Sequence, residues 1–195
     1  GGPLKGASSY TKGQVGSASF SPQGLTSVLG LQARAGMAAP FGRVAQYSPS
    51  DLGLDPQVAR VPLAYRFRIG GVNSVRGFDE NSLQPSGGLA MIQLNIEWRM
   101  KLAGPVGLEL YAEAGNVWPG ASDIVLHDFF PSTSTRTVRP GDVRYVFGVG
   151  PRLILPFGPL RLDLTWIPRP PDLKPSESPS KWKYPRVQFA IGPAF

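Results

Sequence analysis

Residues 89–100, LAMIQLNIEWRM, decide the fold that this sequence predicts. Apolar and polar side chains alternate along them, with Leu94 and Ile96 on one side and Gln93 and Glu97 on the other. A period of two is typical of a β-strand whose two faces meet different surroundings. The stretch therefore predicts a strand with one apolar and one polar face.

The same alternation recurs on both sides of this stretch. It predicts about eight strands and no helix. The predicted strands are 10–20, 25–39, 62–69, 89–100, 106–118, 143–155, 160–167 and a last strand that ends at Phe195. Short turns and long connections rich in Pro and Gly separate them. The chain of 195 residues is therefore expected to be all-β and antiparallel, with residues 1–195 forming a single domain.

The composition of the two faces indicates a transmembrane β-barrel. The polar face carries Arg, Glu, Gln, Asn and Gly but almost no Lys. The water-facing side of a soluble barrel should instead be rich in Lys, Thr and Ser. A soluble β-barrel remains the alternative. Aromatic residues fall towards strand ends, as in interfacial girdles: Trp98, Trp118, Trp166, Tyr184 and Phe195. The residues predicted to face lipid are Ile92, Leu94, Ile96, Leu108, Leu110, Phe147, Leu162 and Leu164. Those predicted to face the lumen are Arg34, Gln93, Glu97, Glu113, Arg144 and Arg152.

Several functional classes find no support in the composition. Cysteine is absent and His127 is the single histidine, so a metal site is not expected. The net charge of +7 comes from scattered basic residues, whereas nucleic-acid grooves cluster them. No nucleophile motif or phosphate loop occurs. We expect neither catalysis nor a cofactor. The chain opens at Gly1 without a signal-peptide pattern, which suggests a mature product or a fragment.

The loop 70–78, GGVNSVRGF, is the candidate functional segment. Its glycines permit backbone turns that other residues resist. Arg76 and Phe78 flank Gly77 at its tip. A loop of such specific composition between plain strands is where function tends to lie, although an ordinary surface hairpin has the same local features.

A set of motifs in a fixed order carries a family resemblance. They are YRFRIGG (65–71) with VRGF (75–78), NIE (95–97), AGNVW (114–118), GVG (148–150) with PFGPL (156–160), and a C-terminal strand ending in Phe195. Together they resemble the C-terminal half of the barrel in the BamA/TamA-like outer-membrane assembly family, the bacterial surface antigen family. Glu113 departs from the family's usual Asp, and Pro193 is unusual within a final strand.

The resemblance implies an integral outer-membrane barrel of about 16 strands preceded by POTRA modules. This chain has neither those modules nor enough strands, so it is expected to be a barrel domain or a barrel fragment. The implied function is the insertion or translocation of unfolded outer-membrane client proteins, without a cofactor. Implied partners are those clients, membrane lipid, and accessory subunits or the remaining barrel strands. A passive small porin or structural barrel is the alternative.

The resemblance also implies the roles of particular residues. In the family the VRGF loop folds into the barrel, so Arg76, Gly77 and Phe78 are expected to lock against Glu97 and Glu113 on the wall. The alternative is that these acids pair with neighbours such as Arg99 or Arg144. The resemblance further assigns the last strand as an assembly signal, carried by Val187, Phe189, Ile191 and Phe195.

The parity of eight strands predicts sidedness. With both termini in the periplasm, the connections 21–24, 70–88, 119–142 and 168–182 lie outside, and 40–61, 101–105 and 156–159 lie on the periplasmic side. A long periplasmic connection at 40–61 is unusual, because periplasmic turns of such barrels are short.

Overall fold

The computed structural model describes residues 9–42, 53–130, 139–156, 158–168 and 185–192. Within these ranges the chain forms one antiparallel sheet whose seven strands follow chain order. They are β1 (Tyr10–Pro22), β2 (Ser27–Pro40), β3 (Ala90–Ala103), β4 (Val106–Trp118), β5 (Arg144–Leu155), β6 (Gly158–Trp166) and β7 (Arg186–Ile191). Two short helices, α1 (Pro56–Ala59) and α2 (Leu126–Phe129), lie in connections. No helix in the described ranges is long and apolar enough to cross a membrane.

The two faces of the sheet have the orientation that the alternation predicts. Leu94, Ile96 and Phe147 are about half exposed, whereas Gln93 and Glu97 are fully buried. The other predicted lipid-facing residues are exposed (Leu110 and Leu162) or half-buried (Ile92, Leu108 and Leu164), and the other lumenal ones are buried (Glu113, Arg144 and Arg152) or half-buried (Arg34). An apolar outer face around a polar interior is the arrangement of a transmembrane barrel, and the prediction of that fold class is confirmed.

The predicted strand 62–69 is wrong. Leu63–Tyr65 is a 3-10 turn, and the backbone of Phe67 pairs only with Gly88, in an isolated bridge. Phe67 and Ile69 are buried in the apolar core, while the buried Arg66 donates hydrogen bonds to backbone carbonyl oxygens. The buried side does not follow the alternation, because Leu63 and Tyr65 are exposed whereas Phe67 and Ile69 are buried. Period-two patterning in the sequence alone does not distinguish such a segment from a strand.

Loss of this strand also changes the predicted sidedness. The strand ends joined by short connections (β1 to β2, β3 to β4 and β5 to β6) lie together at one end of the strands. The strand ends from which the longer connections leave (β2 to β3, β4 to β5 and β6 to β7) lie at the opposite end. The prediction that 21–24 lies on the same side as 119–142 is therefore wrong. The prediction that 40–61 lies on the side opposite to 119–142 is wrong as well. Short turns at one edge and long loops at the other are typical of outer-membrane barrels.

The sheet curves around the connection between β2 and β3. Lys12 of β1 donates a hydrogen bond to the carbonyl oxygen of Tyr65 at 2.8 Å, and the Gly77 amide donates to Oε1 of Gln188 in β7 at 2.6 Å. One connection thus touches both outermost strands of the described sheet. The apolar core lies between this connection and the concave face.

Trp118 does not belong to an interfacial girdle, contrary to the prediction. It is 1% exposed, because the connection between β4 and β5 folds over it and places Phe129 against its ring. Trp98 is 44% exposed on the outer face, and Trp166 stacks there on Phe147 with ring centroids 6.0 Å apart. Tyr184 and Phe195 lie outside the described residues.

The outer face gives a depth-dependent prediction. Leu110→Arg should lower the free energy of unfolding in lipid vesicles by about 2–4 kcal/mol, because it places a charge near the bilayer midplane. Leu102→Arg is the matched control, since Leu102 is outward and 60% exposed beside a short turn. It should cost about 0–1 kcal/mol. Equal costs in urea titrations would contradict this orientation of the sheet in the membrane.

Candidate functional site

The loop 70–78 turns inward on three glycines with left-handed backbone. Gly70, Gly71 and Gly77 have φ of 113°, 109° and 83°, a region that other residues rarely adopt. The Ser74 amide closes a turn by donating to the Gly71 carbonyl oxygen at 3.1 Å. This geometry directs Arg76 into the concave face.

Arg76 is fully buried and uses its whole donor fork on carboxylates. Its backbone amide and Nε donate to the two oxygens of Glu113, each at 2.6 Å. Its Nη1 donates to Glu109 at 2.7 Å and its Nη2 to Glu97 at 2.6 Å. Charge-assisted bonds of this kind are the strongest a side chain makes, and the planar guanidinium fits several at once.

An aromatic platform completes the environment of Arg76. Its Cζ lies 3.4 Å from the centroid of the Tyr111 ring, a cation–π arrangement. The hydroxyl groups of Tyr111 and Thr165 hydrogen-bond at 2.6 Å, which fixes the ring. Gly148 leaves the space for that ring, since a Cβ there would stand 2.3 Å from it.

The carboxylates around Arg76 are shared with arginines of the wall. Glu97 also accepts hydrogen bonds from Arg99, and Glu109 accepts two from Arg152. Arg152 in turn lies 2.7 Å from Asp163. Asp163 also forms ion pairs with Arg76 at 3.6 Å and with Arg161 at 3.9 Å. Such sharing satisfies charges that would be costly to bury alone.

The guanidinium of Arg76 stays positively charged within this cluster. Burial by itself would lower the pKa of the Arg76 guanidinium, but the carboxylates of Glu113, Glu97 and Glu109 outweigh it and raise that pKa above its ordinary value. The loop is therefore held by a permanent cation rather than by a group that titrates near neutral pH.

The residues after Arg76 attach the loop to β7. The Gly77 amide donates to Oε1 of Gln188 at 2.6 Å, and Nε2 of Gln188 donates to the Phe78 carbonyl oxygen at 3.1 Å. The side-chain amide of Gln188 thus both accepts from and donates to the loop backbone, as the backbone of a neighbouring strand would. Phe78 itself is buried in the apolar core.

The residues before Arg76 are fixed by other strands. The carbonyl oxygen of Ser74 accepts a hydrogen bond from Asn95 of β3 at 2.8 Å. Nη2 of Arg161 in β6 donates to Oδ1 of Asn73 at 2.8 Å. The loop is thus bonded to β3, β4, β6 and β7.

The structure brings together the residues that the sequence singled out for the loop and its wall: Arg76, Gly77, Phe78, Glu97 and Glu113. Glu97 contacts both Arg76 and the alternative partner Arg99, while Arg144 donates to carbonyl oxygens of Arg139 and Asp142. Sequence reasoning did not assign Glu109, Tyr111, Arg152, Asp163 and Gln188 to the cluster. The available signal was that each of them lies on the polar face of its own strand.

The last described strand carries part of the predicted terminal signal. Val187, Phe189 and Ile191 are each more than 60% exposed on the outer face of β7, while Phe195 lies outside the described residues. Among the described residues, no group of His, Cys, Asp and Glu could hold a metal ion.

A family model described as the Omp85 superfamily domain matches residues 1–195. The chain belongs to the Omp85 superfamily. Its structure is similar to the crystal structure of BamA from Haemophilus ducreyi lacking POTRA domains 1-3, with a TM-score of 0.59 and 16% sequence identity. The match covers 84% of this chain and 32% of that one, so this Omp85 chain spans about a third of that structure's length. At this identity the likeness shows the fold. No curated protein matches the chain.

Substitution of Arg76 tests the energetic weight of this Omp85 cluster. Arg76→Ala should lower the free energy of unfolding by about 3–5 kcal/mol, since it leaves buried carboxylates without their partner. Arg76→Lys should restore only part of the loss, because one ammonium cannot reproduce the fork. Arg68→Ala is the control, since Arg68 is exposed in the same connection. Equal unfolding midpoints for Arg76→Ala and Arg68→Ala would contradict the prediction.

Gly77 offers a second test, because Gly24 has nearly the same φ, 85°, with open space around it. A Cβ at Gly77 would stand 2.8 Å from Cγ2 of Thr165. Gly24→Ala should cost about 1–2 kcal/mol for left-handed backbone alone. Gly77→Ala should cost about 1–3 kcal/mol more for overpacking.

The variant Thr165→Ser removes the clashing methyl group and keeps the hydroxyl that bonds Tyr111. Combined with Gly77→Ala, it should recover most of the extra loss in unfolding free energy. Failure of this double variant to recover would mean that close approach to β6 is not what requires glycine at position 77.

Proposed function

We propose that this chain is part of an integral outer-membrane barrel of bacterial type that inserts barrel proteins into the membrane or moves polypeptides across it. The observation that carries the proposal is the loop 70–78, held inside the concave face by Arg76. Membership of the Omp85 superfamily and the apolar outer face support it. The role is mechanical, with no catalytic step and no cofactor.

We infer that residues 1–195 form a single barrel domain or one portion of a larger barrel. β1 and β7 are the outermost strands of the described sheet, and strand edges offer backbone donors and acceptors to a further strand. The partners are therefore remaining barrel strands or accessory subunits, membrane lipid, and unfolded outer-membrane client proteins.

The loop and the β7 edge suggest how such a barrel would work. A client strand adds to a sheet edge through main-chain hydrogen bonds, which requires an edge that opens without unravelling the wall. β7 has six residues and β4 has thirteen, so β7 has a short ladder. The bonds from Gln188 to Gly77 and Phe78 tie it to the charged cluster. We infer that the cluster holds this part of the wall in register while the seam opens. The residues Val187, Phe189 and Ile191 would serve as its assembly signal.

A passive porin is the second candidate, and the filled concave face argues against it. An open diffusion channel needs a water-filled lumen. Here Val61, Val75 and Phe78 are among the buried residues that occupy the space within the sheet. A passive barrel with this loop in place would be a closed one.

The test is reconstitution of the polypeptide that carries this chain into lipid vesicles. Added unfolded client barrel should become protease-resistant faster than in empty vesicles. Arg76→Ala should lower that rate at least several-fold, whereas Arg68→Ala should leave it unchanged. Planar-bilayer conductance separates the alternative. A steady channel without any acceleration of client folding would overturn the assembly role in favour of a passive barrel.

A further inference from the structure

The outer face of the sheet changes character towards the long connections. Asn116 and Trp118 share the outward side of β4 with Leu110, yet they are 0% and 1% exposed. Ala90 of β3 is likewise buried at 2% although it lies on the outward side. Along the same strands Leu94, Ile96 and Leu110 are open. Another part of the protein therefore covers the outer face at Ala90, Asn116 and Trp118.

The cover is the connection between β4 and β5. Nδ2 of Asn116 donates to the carbonyl oxygens of Pro140 and Gly141. Nε1 of Trp118 donates to Oδ2 of Asp128 at 2.8 Å, and Asp128 is itself buried. The connection is thus bonded onto the outer wall by polar groups that lipid could not satisfy.

The connection that forms this cover also exposes large apolar side chains. Val125 is 52% exposed, Leu126 78% and Phe130 75%. The hydroxyl of Tyr145, which projects from the outer face of β5, donates to the Phe129 carbonyl oxygen at 2.6 Å. The segment 125–130 therefore lies where the covered part of the outer face meets the uncovered part. Large exposed apolar groups grouped together mark an interaction surface.

We propose that the segment 121–130 is a membrane-surface anchor, with Leu126 and Phe130 inserted at the boundary between lipid headgroups and hydrocarbon. The occupant is lipid because this segment is continuous with the outer face. The Tyr145 hydroxyl bonds the segment, and the stacked rings of Phe147 and Trp166 lie on the same outer face. Aromatic residues concentrate at membrane interfaces. The anchor fixes how deeply the wall sits in the bilayer and is independent of the assembly role.

The amino-acid sequence makes the test direct, because it contains no cysteine. Single cysteines at Leu126, Phe130 and His127 would carry an environment-sensitive fluorophore (NBD) in phosphatidylcholine vesicles. His127 is exposed within the same turn as Leu126 and serves as the matched control. Leu110→Cys provides the reference for deep lipid contact. Circular dichroism of each labelled variant verifies the β-fold.

The anchor predicts a distinct pattern of quenching. Labels at positions 126 and 130 should be quenched by nitroxides near the headgroup at least about twofold more than the label at 127, and iodide in the water should quench them less. The label at 110 should respond to deep nitroxides instead. Equal iodide quenching at 126, 127 and 130 would overturn the anchor. Protection of 126 and 130 that persists in lipid-free detergent together with nitroxide insensitivity would overturn it in favour of a protein partner.

Discussion

Burial of one positive charge among carboxylates is the interaction on which the rest of this structure depends. Arg76 reaches Glu97, Glu109 and Glu113 at 2.6–2.7 Å, so a connection of the chain and two neighbouring strands are fastened at one point. Removing either side would leave an uncompensated buried charge. The polar face of the strands therefore supplies the acids and amides that bind the loop.

Space for this loop comes from small residues on the same face. Gly36 accommodates the ring of Phe67, and Gly115 lies against Ile69 and Val75. A Cβ at either position would come within 3 Å of Phe67 or Ile69, the residues that lead into the loop. The inward face thus combines charges that bind the loop with gaps that admit it. This combination explains a strand face that is polar and yet contains so much glycine.

The outer face has two environments, which follow each other along the length of the strands. Leu110 and Phe147 lie in the open apolar band, as an alternating transmembrane strand requires. Nearer the long connections, Trp118 is covered by protein and bonded to Asp128. The hydrophobic band is consequently shorter than the strands, and its limit lies near Tyr145.

The sequence by itself determined seven of the strands and their inward and outward faces, because alternation is a local property. The glycines of the loop indicated turns that other residues resist, while the inward lock of Arg76 against Glu97 and Glu113 was implied by the family resemblance. Only the tertiary structure decided that 62–69 is no strand and that Trp118 is buried, because both depend on which surface a segment packs against. The partners of Arg76 beyond those acids required the register between β4 and β6, which is set by ladders distant in sequence.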